Sequence, residues 1–244
     1  MIQVQRNFRT LLFCFFSLML FGLSPASLQA QNMYAISGSN LIAFSAQNPG
    51  TVTAMVPVSG ISAGQELSGI DFRPNTGQLY GIGYNPMSGE TRLYTIDRSS
   101  GAATAIGTGP VLLNANMGEL SFDFNPTVDR IRVTGSDNSN YRLHPLTGAL
   151  VATDGMLAFA ATDANTGVDP TIGAVAYTNS YIGSTATTLY NFDQKLNVIT
   201  TQVPPNNGTL NTLGTSGLSL NTTATSADMD IYFDPATGLN MAFL

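Results

Sequence analysis

Tryptophan is absent from this chain, and cysteine and histidine occur once each, as Cys14 and His144. Lysine also occurs once, as Lys195. Each scarcity removes a class of chemistry. With no second cysteine, no intrachain disulfide can hold the fold, so stability has to come from core burial. A zinc or copper site built on imidazole and thiolate fails on ligand count. Any Ser-His-Asp or Cys-His scheme would have to use His144. The scattered basic residues form no footprint for nucleic acid or for an anionic membrane surface. No long stretch carries apolar residues at the three- and four-residue spacing of an amphipathic helix, so helix is expected to be nearly absent.

What is present begins with a leader. Arg6 and Arg9 are the only charges in residues 1–30, an apolar run covers Leu11 to Leu23, and Ser24, Pro25 and Ala26 break it before Ala30. This is the pattern of a secretory signal peptide, with cleavage expected after Ala30. The apolar run is about 13 residues long, against the roughly 20 that span a bilayer, so no membrane insertion is expected after cleavage. Phe13 is too bulky to precede a lipidated cysteine at Cys14. Cleavage removes Arg6 and Arg9 and no acidic residue, taking the net charge from −6 to about −8. The mature chain, 31–244, is read as one domain.

That domain repeats itself. Asp71-Phe72-Arg73-Pro74-Asn75-Thr76-Gly77-Gln78-Leu79 aligns without gaps on Asp123-Phe124-Asn125-Pro126-Thr127-Val128-Asp129-Arg130-Ile131. A third copy runs from Phe233 to Gly238, and a degenerate fourth has Tyr177 in place of the phenylalanine. A period near 50 residues suits four-stranded propeller blades. The intervals divide into short β-like runs separated by turns such as Pro74-Asn75-Thr76-Gly77 and Arg98-Ser99-Ser100-Gly101. The repeats are placed at about 33–58, 69–109, 120–158, 172–216 and 228–244. The expected fold is an all-β propeller, with five blades and an incomplete last one. Four blades closed by the C-terminal strand is the alternative count.

The runs GIDFRPNTGQLYGIG, LYTIDRSSGAATAIG, SFDFNPTVDRIRV, AVAYTNS and PPNNGTLNTLG resemble the bacterial family catalogued as domain of unknown function 4394. The likeness extends from Met33 to about Gly217, and FDFNPTVDRIR is its most specific part. It implies a secreted or periplasmic propeller-like protein and brings no catalytic residues with it.

Candidate site residues follow from the repeat. First strands line the axis of a propeller, and the DFxP turns reach one end of it. Asp71, Arg73, Asp123, Asn125, Arg130 and Arg132 are therefore the expected ligand-binding set. Arg130 and Arg132 share a strand face near Asp123 and Asp129, so the competing reading is buried ion pairs between blades. His144 aligns with Asp97 of another repeat and is read as a turn residue with no catalytic part. The oxygen-rich loops of Asp137, Asp163 and Asp169 are weak candidates for calcium, Asx turns are the preferred account of them, and no other cofactor is expected. Two functions stay open. One is an exported, non-catalytic binding or scaffold module for a small molecule, glycan or protein. The other is an extracytoplasmic hydrolase or lyase acting through Asp and Arg on a glycan-like or anionic substrate.

Overall fold

The computed structural model describes residues 32–114, 116–218 and 226–244. Residues 1–30, read above as a signal peptide, lie outside the described residues.

The described residues form five sheets in sequence order. The first holds β1 (Asn32–Ser37), β2 (Asn40–Ser45) and β3 (Asn48–Pro57). The second runs β4 (Glu66–Phe72), β5 (Leu79–Tyr84), β6 (Glu90–Ile96) and β7 (Ala103–Ala105), with the short β8 (Val111–Leu112) also paired to β6. The third is β9 (Leu120–Asn125), β10 (Arg130–Gly135), β11 (Asn140–Leu143) and β12 (Leu150–Thr153). The fourth has β13 (Ala158–Phe159) on its outer edge, parallel to β17 (Thr209–Thr215). Inward from β17 it continues through β16 (Val198–Gln202), β15 (Leu189–Asp193) and β14 (Ile172–Tyr177). The fifth is the hairpin β18 (Asp230–Asp234) and β19 (Leu239–Phe243). Among the described residues the one helical element is a single 3₁₀ turn, Pro205–Asn207.

The sheets stack face to face around an axis, as in a β-propeller. Leu41, Leu79 and Ile96 pack between the first and second sheets, and Tyr80, Phe122, Phe124 and Ile131 between the second and third. Phe159, Tyr177 and Leu189 form a core within the fourth sheet, and Ala176, Phe192, Met229 and Ile231 join the fourth to the fifth. A middle sheet is therefore covered on both faces, which is why every residue of β5 and of β14 is buried. Alternation of apolar and polar residues would fail on these strands. Among the described residues, no such core joins the fifth sheet to the first. Among the described residues the first sheet holds three strands and the fifth two, so the count is four blades if the two are taken together and five if apart.

The repeat's turns explain its residues. Gly77 (φ +66°) donates its N–H to the Arg73 carbonyl at 2.8 Å, closing the loop after the first strand. The aligned position in the next repeat is Asp129, which takes the same left-handed conformation at φ +49°. Asp tolerates that region better than most side chains. Its carboxylate is thereby aimed back at Arg73 of the preceding repeat.

Candidate functional site

Where the fifth and first sheets face each other there is an axial cavity of about 370 Å³, lined by β1, β4, β18 and the Asp123 end of β9. Its floor is acidic. Carboxylate oxygens of Asp71, Asp123 and Asp230, from three sheets, lie within 4.8 Å of one another, and Asp228 lines the same cavity. No salt-bridge partner reaches any of the four among the described residues.

In the two repeats that have Asp before the aromatic, Asp71-Phe72 and Asp123-Phe124, that Asp has a structural task that positions this floor. The edge of an innermost strand leaves backbone N–H groups without a ladder partner. The Phe124 N–H instead donates to Asp71 Oδ2 at 2.9 Å, and the Tyr177 N–H is directed to Asp123 one repeat later. Ser121 does the same for the Val175 N–H at 2.9 Å. Asp71 and Asp123 thus fasten each blade to the next through one oxygen while lining the cavity.

Burial makes all four acids reluctant to ionise. Asp71 is held well above the ordinary carboxylate range by desolvation and then by the charge of Asp230. Asp123 is raised as strongly, by desolvation and then by Asp71 and Asp230. Asp228 is pushed up to about 6 by desolvation, with a further contribution from Asp230, and Asp230 rises for the first of these reasons. Solvent reaches Asp228 and Asp230 from the cavity, but protein surrounds them on most sides. Three convergent carboxylates are the residues here that could hold a hard cation such as calcium.

The upper wall carries the opposite charge. The Arg98 guanidinium lies over the rings of Tyr34 and Phe72, 5.8 and 5.6 Å from their centroids. Those rings meet edge to face at 5.7 Å. Arg98 has no ion pair among the described residues.

The family model for the domain of unknown function (DUF4394) matches residues 40–244. The chain belongs to that family. No curated protein matches it. Among solved structures, the Myxococcus xanthus glutaminyl cyclase is similar at 13% identity and a TM-score of 0.50, over 83% of this chain and 76% of that one. A Bacteroides thetaiotaomicron protein of unknown function follows at 18% identity and a TM-score of 0.41, over 72% of this chain and 42% of that one. The first likeness bears on fold alone.

Set against this cavity, the ligand-binding residues expected from the repeat divide. Asp71, Arg73 and Asp123 line it. Arg73, however, is committed to Asp129 by a two-pronged ion pair at 2.5 and 2.9 Å. Arg132 is buried away from the cavity, bound to Asp154 at 2.5 Å, Asn140 at 2.8 Å and Asn206 at 2.7 Å. Its cross-strand neighbour Asp123 leans to the axis instead. Asp154 also takes Arg142 at 2.8 and 2.9 Å. Arg130 donates to the Asp129 and Val128 carbonyls, and Asn125 accepts from Thr127 within its own turn. Of the interblade pairs expected, Asp129 finds Arg73 rather than Arg130, because its left-handed turn points it to the previous repeat.

The calcium candidates are taken up by protein donors, in their own loop or in a neighbouring one. Asp137 accepts from Ser139, Asp163 from Thr212 and Asn165, and Asp169 from Asn138. The carboxylates that do gather are others. His144 accepts the Leu146 N–H on Nδ1 at 3.2 Å, as Asp97 accepts the N–H groups of Ser99 and Ser100 at the aligned turn. Asp228, Asp230 and Arg98 were not anticipated. Asp230 sits three residues before Phe233, as Ser121 does before Phe124, and alternation puts that position on the same strand face as Asp71 and Asp123. That parity was the available signal.

Proposed function

We propose that this protein is an exported binding module whose small ligand occupies the axial cavity. The observation that carries the reading is the convergence of Asp71, Asp123 and Asp230, from three separate sheets, on one cavity with no protein cation to neutralise them among the described residues. Asp123 is buried and Asp71 partly so, and carboxylates this close to one another are costly when ionised; a site retained at that cost is the kind that serves a ligand. The leader supports release outside the cytoplasm, and the acidic mature chain disfavours nucleic acid.

The test is a thermal-shift screen of the chain from Gln31 against small metabolites, sugars and metal salts. Asp71→Asn/Asp230→Asn is expected to abolish any shift while leaving the circular dichroism unchanged, because an asparagine oxygen can still accept the Phe124 N–H. A ligand that shifts both proteins equally would move the site elsewhere.

A hydrolase or lyase is the second reading, favoured by one observation: Asp228, raised to about 6, beside Asp230 offers a proton donor near neutral pH. Turnover of a glycan or anionic substrate that Asp228→Asn reduces by about a hundredfold or more would select it.

A further inference from the structure

The charges in the cavity are separated by sign, with acids on the floor and two guanidiniums on the wall, of which Arg73 is paired with Asp129 and Arg98 has no ion pair among the described residues. We propose that the cavity takes a zwitterionic ligand, with its ammonium on Asp71, Asp123 and Asp230 and its carboxylate on Arg98. This rests on the reading that the axial cavity is the binding site, and it names the class of ligand.

The floor fits an ammonium. A tetrahedral nitrogen holding acceptors at about 2.8 Å spreads them about 4.6 Å apart, and the three carboxylate oxygens lie within 4.8 Å of one another. Asp123 is only 4% exposed and lines the cavity with no side-chain hydrogen-bond donor among the described residues. A buried carboxylate in that state gains most from a cation that arrives with N–H groups.

The wall is an independent observation. Three of the described arginines, Arg73, Arg132 and Arg142, are spent on Asp129 and Asp154. Arg98 is held over two ring faces, which restrains its plane and leaves its N–H edges for a planar anion. A bare metal ion would leave that guanidinium unanswered and would fill little of a cavity of about 370 Å³. A neutral sugar would answer neither charge. A molecule with both charges answers both.

The experiment is calorimetric titration of the chain from Gln31 with unbranched amino acids of increasing length, from glycine to aminocaproate. Butylamine, butyrate and calcium chloride are titrated beside them. One amino-acid length is expected to bind at least about tenfold more tightly than butylamine. Arg98→Gln should erase that advantage, and Arg98→Lys should restore only part of it. Asp71→Asn/Asp230→Asn should remove binding of both the amino acid and the amine. If butylamine equals the best amino acid and Arg98→Gln changes nothing, the zwitterion is wrong while the cavity remains the site. Binding of calcium chloride alone, or of butyrate alone, overturns the proposal, as does the absence of binding by every amino acid.

Discussion

Arg132 and His144 mark the two extremes of what a single polar residue does here. Arg132 spreads its donors over Asp154, Asn140 and Asn206 and is 2% exposed. Truncating it leaves Asp154 buried with only Arg142, so Arg132→Ala is expected to cost about 3–5 kcal/mol in urea denaturation. His144 makes one turn hydrogen bond, and His144→Gln is expected to stay within about 0.5 kcal/mol. The acids divide in the same way. Asp129 is held below the ordinary range by the hydrogen bond from Arg73. Burial opposes the charge of Asp154, but Arg142 and Arg132 outweigh it and keep it low as well. Their contribution is present above the unfolded carboxylate pKa and is lost as pH falls through the lower folded value. Asp71, Asp123 and Asp228 have the reverse sign. Their folded values are raised, so their contribution is complete below about pH 4 and is lost as pH rises through the folded values. Ligand-free protein should therefore melt highest near about pH 4 and lose stability as pH rises from there. Asp228→Asn should flatten the decline toward neutrality, as thermal melts across pH will report; a wild-type optimum above pH 7 contradicts it.

At the scale of the element, a turn can matter through what it touches. Gly101 closes the β6–β7 hairpin at φ +72°, and a Cβ there would collide with the Pro57 carbonyl of the first sheet. Gly38 has φ +58°, but nothing lies within 4 Å of its Cβ direction. Gly101→Ala is expected to cost more than about 2 kcal/mol and Gly38→Ala about 1 kcal/mol, measured by chemical denaturation. The four strands of each full repeat were legible because turn residues bracket them and the repeat can be checked against itself. The strands β8 and β13 were not. Each is two residues long and is made by pairing, β8 to β6 and β13 in parallel to β17. A run of that length has no period to detect.

In the whole molecule the joint between the first and last sheets is the weak place. Among the described residues the hairpin of β18 and β19 has no backbone ladder to another sheet. It is held by Met229 and Ile231 against the fourth sheet, by the Ala227 N–H on Glu119 at 2.7 Å and by Asn240 paired with Asn179. Hydrogen exchange should therefore run faster in Asp230–Phe243 than in Ile172–Tyr177, and a cavity ligand should slow it, since Asp230 would then be tied to Asp71 and Asp123. Equal exchange in the two segments would show the joint to be as firm as the other interfaces. Intact-mass measurement of exported protein should find a chain beginning at Gln31, and retention of Arg6 and Arg9 would refute the leader.

The chain's own order of residues determined the all-β class, the blade period and the turns, because these depend on local chemistry: short β-prone runs, Asx and glycine at turn positions, and a repeat that can be aligned on itself. It also brought out Asp71 and Asp123 as repeated residues. The tertiary structure alone decided what their charges meet. Asp129 is beside Arg73, Asp154 is beside Arg132, and Asp230 is brought from the far end of the chain to within 4.8 Å of Asp71 and Asp123. A strand's parity says which face a side chain takes. Which charge stands across from it is set by how the sheets close around the axis, and no local pattern encodes that distance.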